Sequence, residues 1–153
     1  MYEKNEKDFG LLLLILKMCD DIKLYQEDYK IVELLENRMS INALLMNIMQ
    51  IGENANKFSK DFLENFDKNY WLQIINIRHR ITHDYGGVDL AIIEKVLRYE
   101  IDSLIERVLK ILETFKTESL YADLIVDSSF NDNFQSVNML EKAKGLQSLN
   151  TYN

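Results

Sequence analysis

Apolar residues recur along this chain at spacings of three and four, the period of a helix with one face turned inward. Phe9, Leu12, Leu13, Leu16, Cys19 and Ile22 mark a first helix. Ile41, Leu44, Ile48, Ile51, Ala55 and Phe58 mark a second, with Ser40 placed to cap it, and residues 28–37 leave room for an earlier helical piece. A third runs from about Tyr70 to His83 and stops at Asp84-Tyr85-Gly86-Gly87, where glycine supplies the left-handed backbone of a helix end. A fourth starts near Asp89, a second cap candidate, and carries Ile93, Leu97, Ile101, Leu104, Ile105, Val108, Ile111, Leu112 and Phe115. Four amphipathic helices with short connections predict an all-α fold, an antiparallel four-helix-type bundle over residues 1–115. Its core should hold Leu44, Ile48, Ile51, Leu97, Ile101, Leu104 and Leu112. After Phe115 the character changes, with a polar cluster from Asp127 to Asn133, and residues 116–153 are read as a separate C-terminal extension.

Composition sharpens this picture. The 153 residues include no proline and only five glycines, whereas sheets need frequent tight turns that lean on both. An all-β fold is therefore excluded and a parallel α/β fold disfavoured. The single cysteine, Cys19, permits neither an internal disulfide nor a cysteine metal cluster, which suits a reducing cytosol. The net charge of −7 opposes non-specific coating of nucleic acid or acidic membrane, and leaves room for a small basic site. The apolar block Phe9–Leu16 is far shorter than the roughly 20 residues of a membrane span. Glu3, Lys4, Glu6, Lys7 and Asp8 before it are net negative, where a signal peptide is positive. The expectation is a cytoplasmic protein with no membrane association.

The third helix departs from what a bundle needs. On a wheel of about 100° per residue, Trp71, Ile74 and Ile75 define an apolar arc with Leu72, Ile77 and Ile81 at its edges. Arg78 falls in the middle of that arc, and Arg80 falls on the solvent side with Gln73 and Asn76. A guanidinium keeps its charge, so a buried Arg78 demands a partner. Two readings are open. Arg78 pairs with an acid such as Glu53 and clamps helices together, or the arc faces a groove or second subunit where Arg78 meets an anion. The local charge favours the anion, because residues 68–83 contain Lys68, Arg78 and Arg80 and no acid. Both histidines of the chain, His79 and His83, lie in the same strip. Their i, i+4 spacing resembles a metal clip, but Arg80 stands where a zinc protease has its glutamate and no third ligand is near, so no metal is expected. His83, at the helix end, can act as acid or base near neutral pH. Tyr85 sits beside the Gly-Gly turn, where exposure is favoured.

The run Arg78-His79-Arg80-Ile81-Thr82-His83-Asp84-Tyr85 reads Arg-polar-x3-His-x-Tyr. It resembles the signature of the HepT-like group in the HEPN superfamily (higher eukaryotes and prokaryotes nucleotide-binding domains). Ile51-Gly52-Glu53-Asn54-Ala55 is similar to that group's Ile-Gly-Glu-Ala-Ala stretch, and Gly87-Val88-Asp89-Leu90 to the segment after its His-x-Tyr. The resemblance spans roughly residues 8–115. His79 replaces the asparagine usual after the motif arginine, and Asp67-Lys68-Asn69-Tyr70 stands where the group has a proline before the third helix.

The resemblance implies a metal-independent endoribonuclease toxin of a type II-like toxin–antitoxin system. A nucleotidyltransferase-type antitoxin would neutralise it. Arg78 and His83 become the catalytic pair, with His79 and Glu53 in support and no cofactor. Tyr85 becomes the tyrosine to which the antitoxin transfers AMP. On one straight helix Arg78 and His83 would lie about 140° apart around the axis, which points to a homodimer with a shared groove lined by both copies. Two other readings stand beside this one: a non-catalytic HEPN module that binds a nucleotide or a partner, and a plain bundle in which Arg78 forms a buried ion pair.

Overall fold

The computed structural model describes residues 1–82 and 87–115. The described elements are α1 (Glu6–Asp28), α2 (Ile31–Glu36), α3 (Arg38–Ala55), α4 (Lys60–Asn65), α5 (Lys68–Ile75), α6 (Ile77–Ile81), α7 (Leu90–Lys95), a π-helical turn (Val96–Glu100) and α8 (Ile101–Phe115). The fold is the all-α helical bundle that the periodicity predicts. The extension 116–153 lies outside the described residues.

Short polar side chains start most of these helices by accepting an otherwise orphaned backbone N–H. Asn5 accepts from Asp8 N at 2.9 Å, Ser59 from Phe62 N at 3.0 Å and Asp89 from Ile92 N at 3.2 Å. The cap of α3 is Asn37, which accepts from Ser40 N at 3.0 Å, so Ser40 lies inside the helix rather than at its cap. Asp67 caps α5 with φ 58°, the left-handed region that Asp tolerates better than most residues. Helix α4, too short to show a period, was not among the expected elements.

α1 packs against α3 and α8, and α3 also carries α2, α5 and α6. All seven expected core residues are buried: Leu44, Ile48, Ile51, Leu97, Ile101, Leu104 and Leu112. One end of the core is aromatic. Phe58 and Phe62 stack at 3.9 Å between centroids, and Trp71 meets Phe58 edge-on at 5.0 Å. Tyr2 sits edge-on to Phe62, Phe66 and Phe115, which closes that end with a residue from the start of the chain.

Beneath this cluster Asp8 is fully buried. Its carboxylate accepts from Ser59 Oγ at 2.6 Å, Asn5 Nδ2 at 2.8 Å, Ser59 N at 2.9 Å and Tyr2 Oη at 2.9 Å. Burial alone would raise its pKa, but the donors from Ser59, Tyr2 and Asn5 outweigh that and hold it below the ordinary carboxylate value. Cys19 is buried too, and desolvation pushes its thiol well above the usual range, which leaves it unreactive. Among the described residues no helix is long and apolar enough to cross a membrane.

Candidate active site

The third helix is not one helix. The chain leaves α geometry at Asn76 (φ −88°, ψ 9°) and resumes as the five-residue α6. Asn76 N donates to Leu72 O at 3.0 Å, closing α5, and Asn76 O accepts from His79 N at 3.0 Å, opening α6. The break turns the inward face by about a quarter turn, from the Trp71–Ile74 side to Ile77 and Ile81. Trp71, Ile74, Ile77 and Ile81 are all buried.

This overturns the assignment of the two arginines. Arg78 is exposed, whereas Arg80 is the half-buried one. Arg80 Nη2 donates to both carboxylate oxygens of Glu100, at 2.8 and 3.1 Å, and each side chain is only 26% exposed. This region does hold a half-buried ion pair, but its members are Arg80 and Glu100. Glu53 is exposed on α3, and among the described residues nothing links it to Arg78. The clamp between Arg78 and Glu53 is corrected accordingly. The reading as a plain bundle built on a buried Arg78 loses its premise.

The close approach of α3 explains why glycine precedes Glu53. A Cβ on Gly52 would lie 3.1 Å from Ile77 Cγ2 and 3.2 Å from Ile74 O. The turn of α3 that carries Ile51-Gly52-Glu53 thus rests directly on the α5–α6 break. That contact seats the start of α6.

The far end of α6 is held just as closely. Arg78 O accepts from Thr82 N at 3.0 Å and from Thr82 Oγ1 at 2.8 Å. Ile81 O accepts from Asp89 N at 2.8 Å, and Thr82 pairs with Val88 as an isolated antiparallel bridge. Asp89 is itself the cap of α7. Thr82 and Val88 thus bracket the rest of the motif segment. His83 and Tyr85 lie within it, outside the described residues. α6 ends at Ile81, and Thr82 after it is extended. The 140° separation assumed one straight helix from Arg78 through His83, and the described helix ends at Ile81.

What α6 presents is one bare guanidinium beside one imidazole. Arg78 and His79 are both exposed, and among the described residues the Arg78 guanidinium has no hydrogen-bond or ion-pair partner. Ile77 and Ile81 form the buried side, with Arg78 on its flank and His79 facing away from it. Such a surface can receive an anion without first breaking a protein contact. Among the described residues no three His, Cys, Asp or Glu side chains converge as a set of metal ligands.

The family model described as "Ribonuclease HepT-like" matches residues 15–111, which takes in α3, α6 and the motif segment. A Methanocaldococcus jannaschii protein named "Putative RNase MJ1380" is 25% identical over 104 residues, 68% of this chain and 94% of that protein. "Putative RNase MJ0125" of the same organism is 28% identical over 65% of this chain and 88% of its own length. "Putative RNase TTE0752" of Caldanaerobacter subterraneus subsp. tengcongensis is 26% identical over 67% of this chain and 91% of its own. No solved structure gives a significant match. With the family model covering well over half of its length, the chain belongs to the HepT-like ribonuclease family.

Proposed function

We propose that this protein is an endoribonuclease toxin that cleaves RNA without a metal ion. Arg78 holds the scissile phosphate and His83 transfers the proton. The observation that carries the reading is the bare Arg78 guanidinium beside His79, on a short helix pinned at both ends, in a chain of the HepT-like ribonuclease family.

RNA brings its own nucleophile. The 2′-OH loses its proton to a base and attacks the adjacent phosphorus, and the 5′ oxygen of the next nucleotide leaves with a proton. His83 suits proton transfer near neutral pH. A planar guanidinium binds two non-bridging oxygens at once and stabilises the charge that builds there. His79, one residue on from Arg78, assists at the phosphate, and Glu53 supports the site from α3. The products are a 2′,3′-cyclic phosphate and a free 5′-OH.

The working unit is proposed to be a cytoplasmic homodimer whose α6 strips lie together. Its partner is a nucleotidyltransferase-type antitoxin that transfers AMP to Tyr85. That adduct would place a phosphate where Arg78 meets RNA and block the groove with the nucleotide.

Induction in a bacterial host tests the core of this reading. Wild type should arrest growth, and His83→Ala should not. Purified protein should cut RNA in EDTA and leave 2′,3′-cyclic ends. Activity lost in EDTA and restored by zinc would replace this mechanism with a metal-assisted one, and a soluble, harmless wild type would leave a non-catalytic binding module. Mass spectrometry after co-expression with the antitoxin should find AMP on Tyr85, and AMP elsewhere would remove Tyr85 from the scheme.

A further inference from the structure

We propose that Glu100, carried by the π-helical turn, is a positioning residue for the Arg78 helix. The proposal rests on the reading of Arg78 as the phosphate cation.

A five-residue helix has no stability of its own, so its orientation is whatever its attachments impose. Ile77 and Ile81 fix one line along α6. Two apolar anchors on one line still leave the helix free to roll about it. On a wheel of about 100° per residue, Arg80 lies on one flank of that line and Arg78 on the other, roughly 160° apart. Beyond the backbone bond from Asp89 N to Ile81 O at its end, the Arg80–Glu100 pair is the side-chain contact on a flank that restrains this roll, and the roll sets where Arg78 points.

The acceptor for this tether comes from an unusual place. Ile101 N donates to Val96 O, the i→i+5 bond of a π turn, between α7 and α8. A π turn carries more residues per turn than an α turn, so it rotates Glu100 away from the direction a continuous helix would give it. It also loosens the regular carbonyl pairing, and Gln26 of α1 donates from Nε2 to Leu97 O at 3.2 Å. The turn is thus braced from α1 behind it and delivers a carboxylate to α6 in front. Neighbouring Arg98 is engaged elsewhere, with Glu94 of α7 at 2.9 Å, so it does not compete for Glu100.

Glu100→Gln keeps the size of the side chain and removes the charge. Cleavage by Glu100→Gln should show kcat lowered roughly 10- to 100-fold with KM within about twofold, the pattern of a displaced transition-state contact. Glu100→Asp, with a shorter arm, should fall between it and wild type. Exchanging the partners, Arg80→Glu with Glu100→Arg, should restore at least tenfold of the loss. Glu94→Gln, which removes the exposed pair one turn away, should match wild type in kcat. A second readout does not depend on cleavage. The ring resonances of His79, assigned in a His83→Gln background, should shift in Glu100→Gln and return in the exchanged pair.

Unchanged kcat in Glu100→Gln, or an exchange that recovers nothing, overturns the proposal. If wild type cleaves no RNA, the functional reading fails on its own. The His79 resonances then decide the tether, which stands if they shift and recover and falls if they do not.

Discussion

α8 and α6 are both helices that hold isoleucines against the same core, and they are held by opposite means. α8 buries Ile101, Leu104, Ile105, Val108, Ile111, Leu112 and Phe115 along fifteen residues, so its own pattern fixes its orientation. α6 buries Ile77 and Ile81 and relies on neighbours for the rest: Gly52 beneath its start, Glu100 at its flank, Thr82 and Asp89 at its end. A long helix is a continuous support and forgives the loss of one contact. A short one is placed by points, and each point can be removed separately. The segment proposed to bear the chemistry is the one built by points.

The comparison can be broken most sharply at Arg78. Arg78→Ala should cut RNA cleavage by about 10²–10³-fold, because it removes a charge aimed at the transition state. Its melting temperature should stay with wild type, since the guanidinium holds no described partner. A thermal shift assay beside an activity assay separates the two, and a large loss of stability would mean that Arg78 belongs to the scaffold. The opposite pattern is expected in α8. Leu104→Ala should cost about 2–5 kcal/mol in urea unfolding through the cavity it leaves, while cleavage by the fraction still folded remains near wild type.

Gly52→Ala lies between these extremes. The added methyl presses on Ile77 Cγ2 and Ile74 O at 3.1 and 3.2 Å, and the second of these is backbone that cannot swing aside. A cost of about 1–3 kcal/mol is expected, together with lost cleavage, because the seat of α6 moves. Stability lost without activity would show that α6 does not depend on this contact.

The smallest effect is conditional on pH. The folded pKa of Asp8 lies below its ordinary value of 3.8. The carboxylate therefore stabilises the fold above that value, and the contribution is lost as pH falls through the folded pKa. Asp8→Asn should be less stable than wild type by about 1–3 kcal/mol at pH 7. The gap should narrow in urea titrations as pH drops below 3.8. A gap independent of pH would assign the cost to packing rather than charge.

The long helices were legible because a repeated three-and-four spacing averages over many residues, and Leu44, Ile48, Ile51, Leu97, Ile101, Leu104 and Leu112 all lie where that spacing puts them. The same averaging failed at Asn76. A wheel anchored on Trp71 and Ile74 assumes an unbroken helix, and one residue at ψ 9° was enough to exchange the environments of Arg78 and Arg80. Ile77 and Ile81 carried a usable sign, since an apolar i, i+4 pair at the edge of the main arc announces a second face. Glu100 had no local sign, because its meaning comes from a π turn and from an arginine twenty residues earlier. Asp8 was hidden for a similar reason, with Ser59 fifty-one positions away. The motif identified Arg78 and His79 by residue type and spacing, but their exposure depends on tertiary supports that spacing does not encode.

The distance along the chain between a support and what it supports has a consequence for synthesis. A ribosome makes Arg78 and the motif segment before it makes Glu100, and it makes Phe115, the partner of Phe9 and Tyr2, later still. Asp8 likewise waits for Ser59 before its carboxylate is satisfied. A nascent chain stalled between residues 83 and 100 therefore carries the proposed site residues Arg78 and His83 without the Glu100 carboxylate that α6 pairs with. On the proposed reading, the order of translation itself withholds the assembled site until Glu100 has emerged.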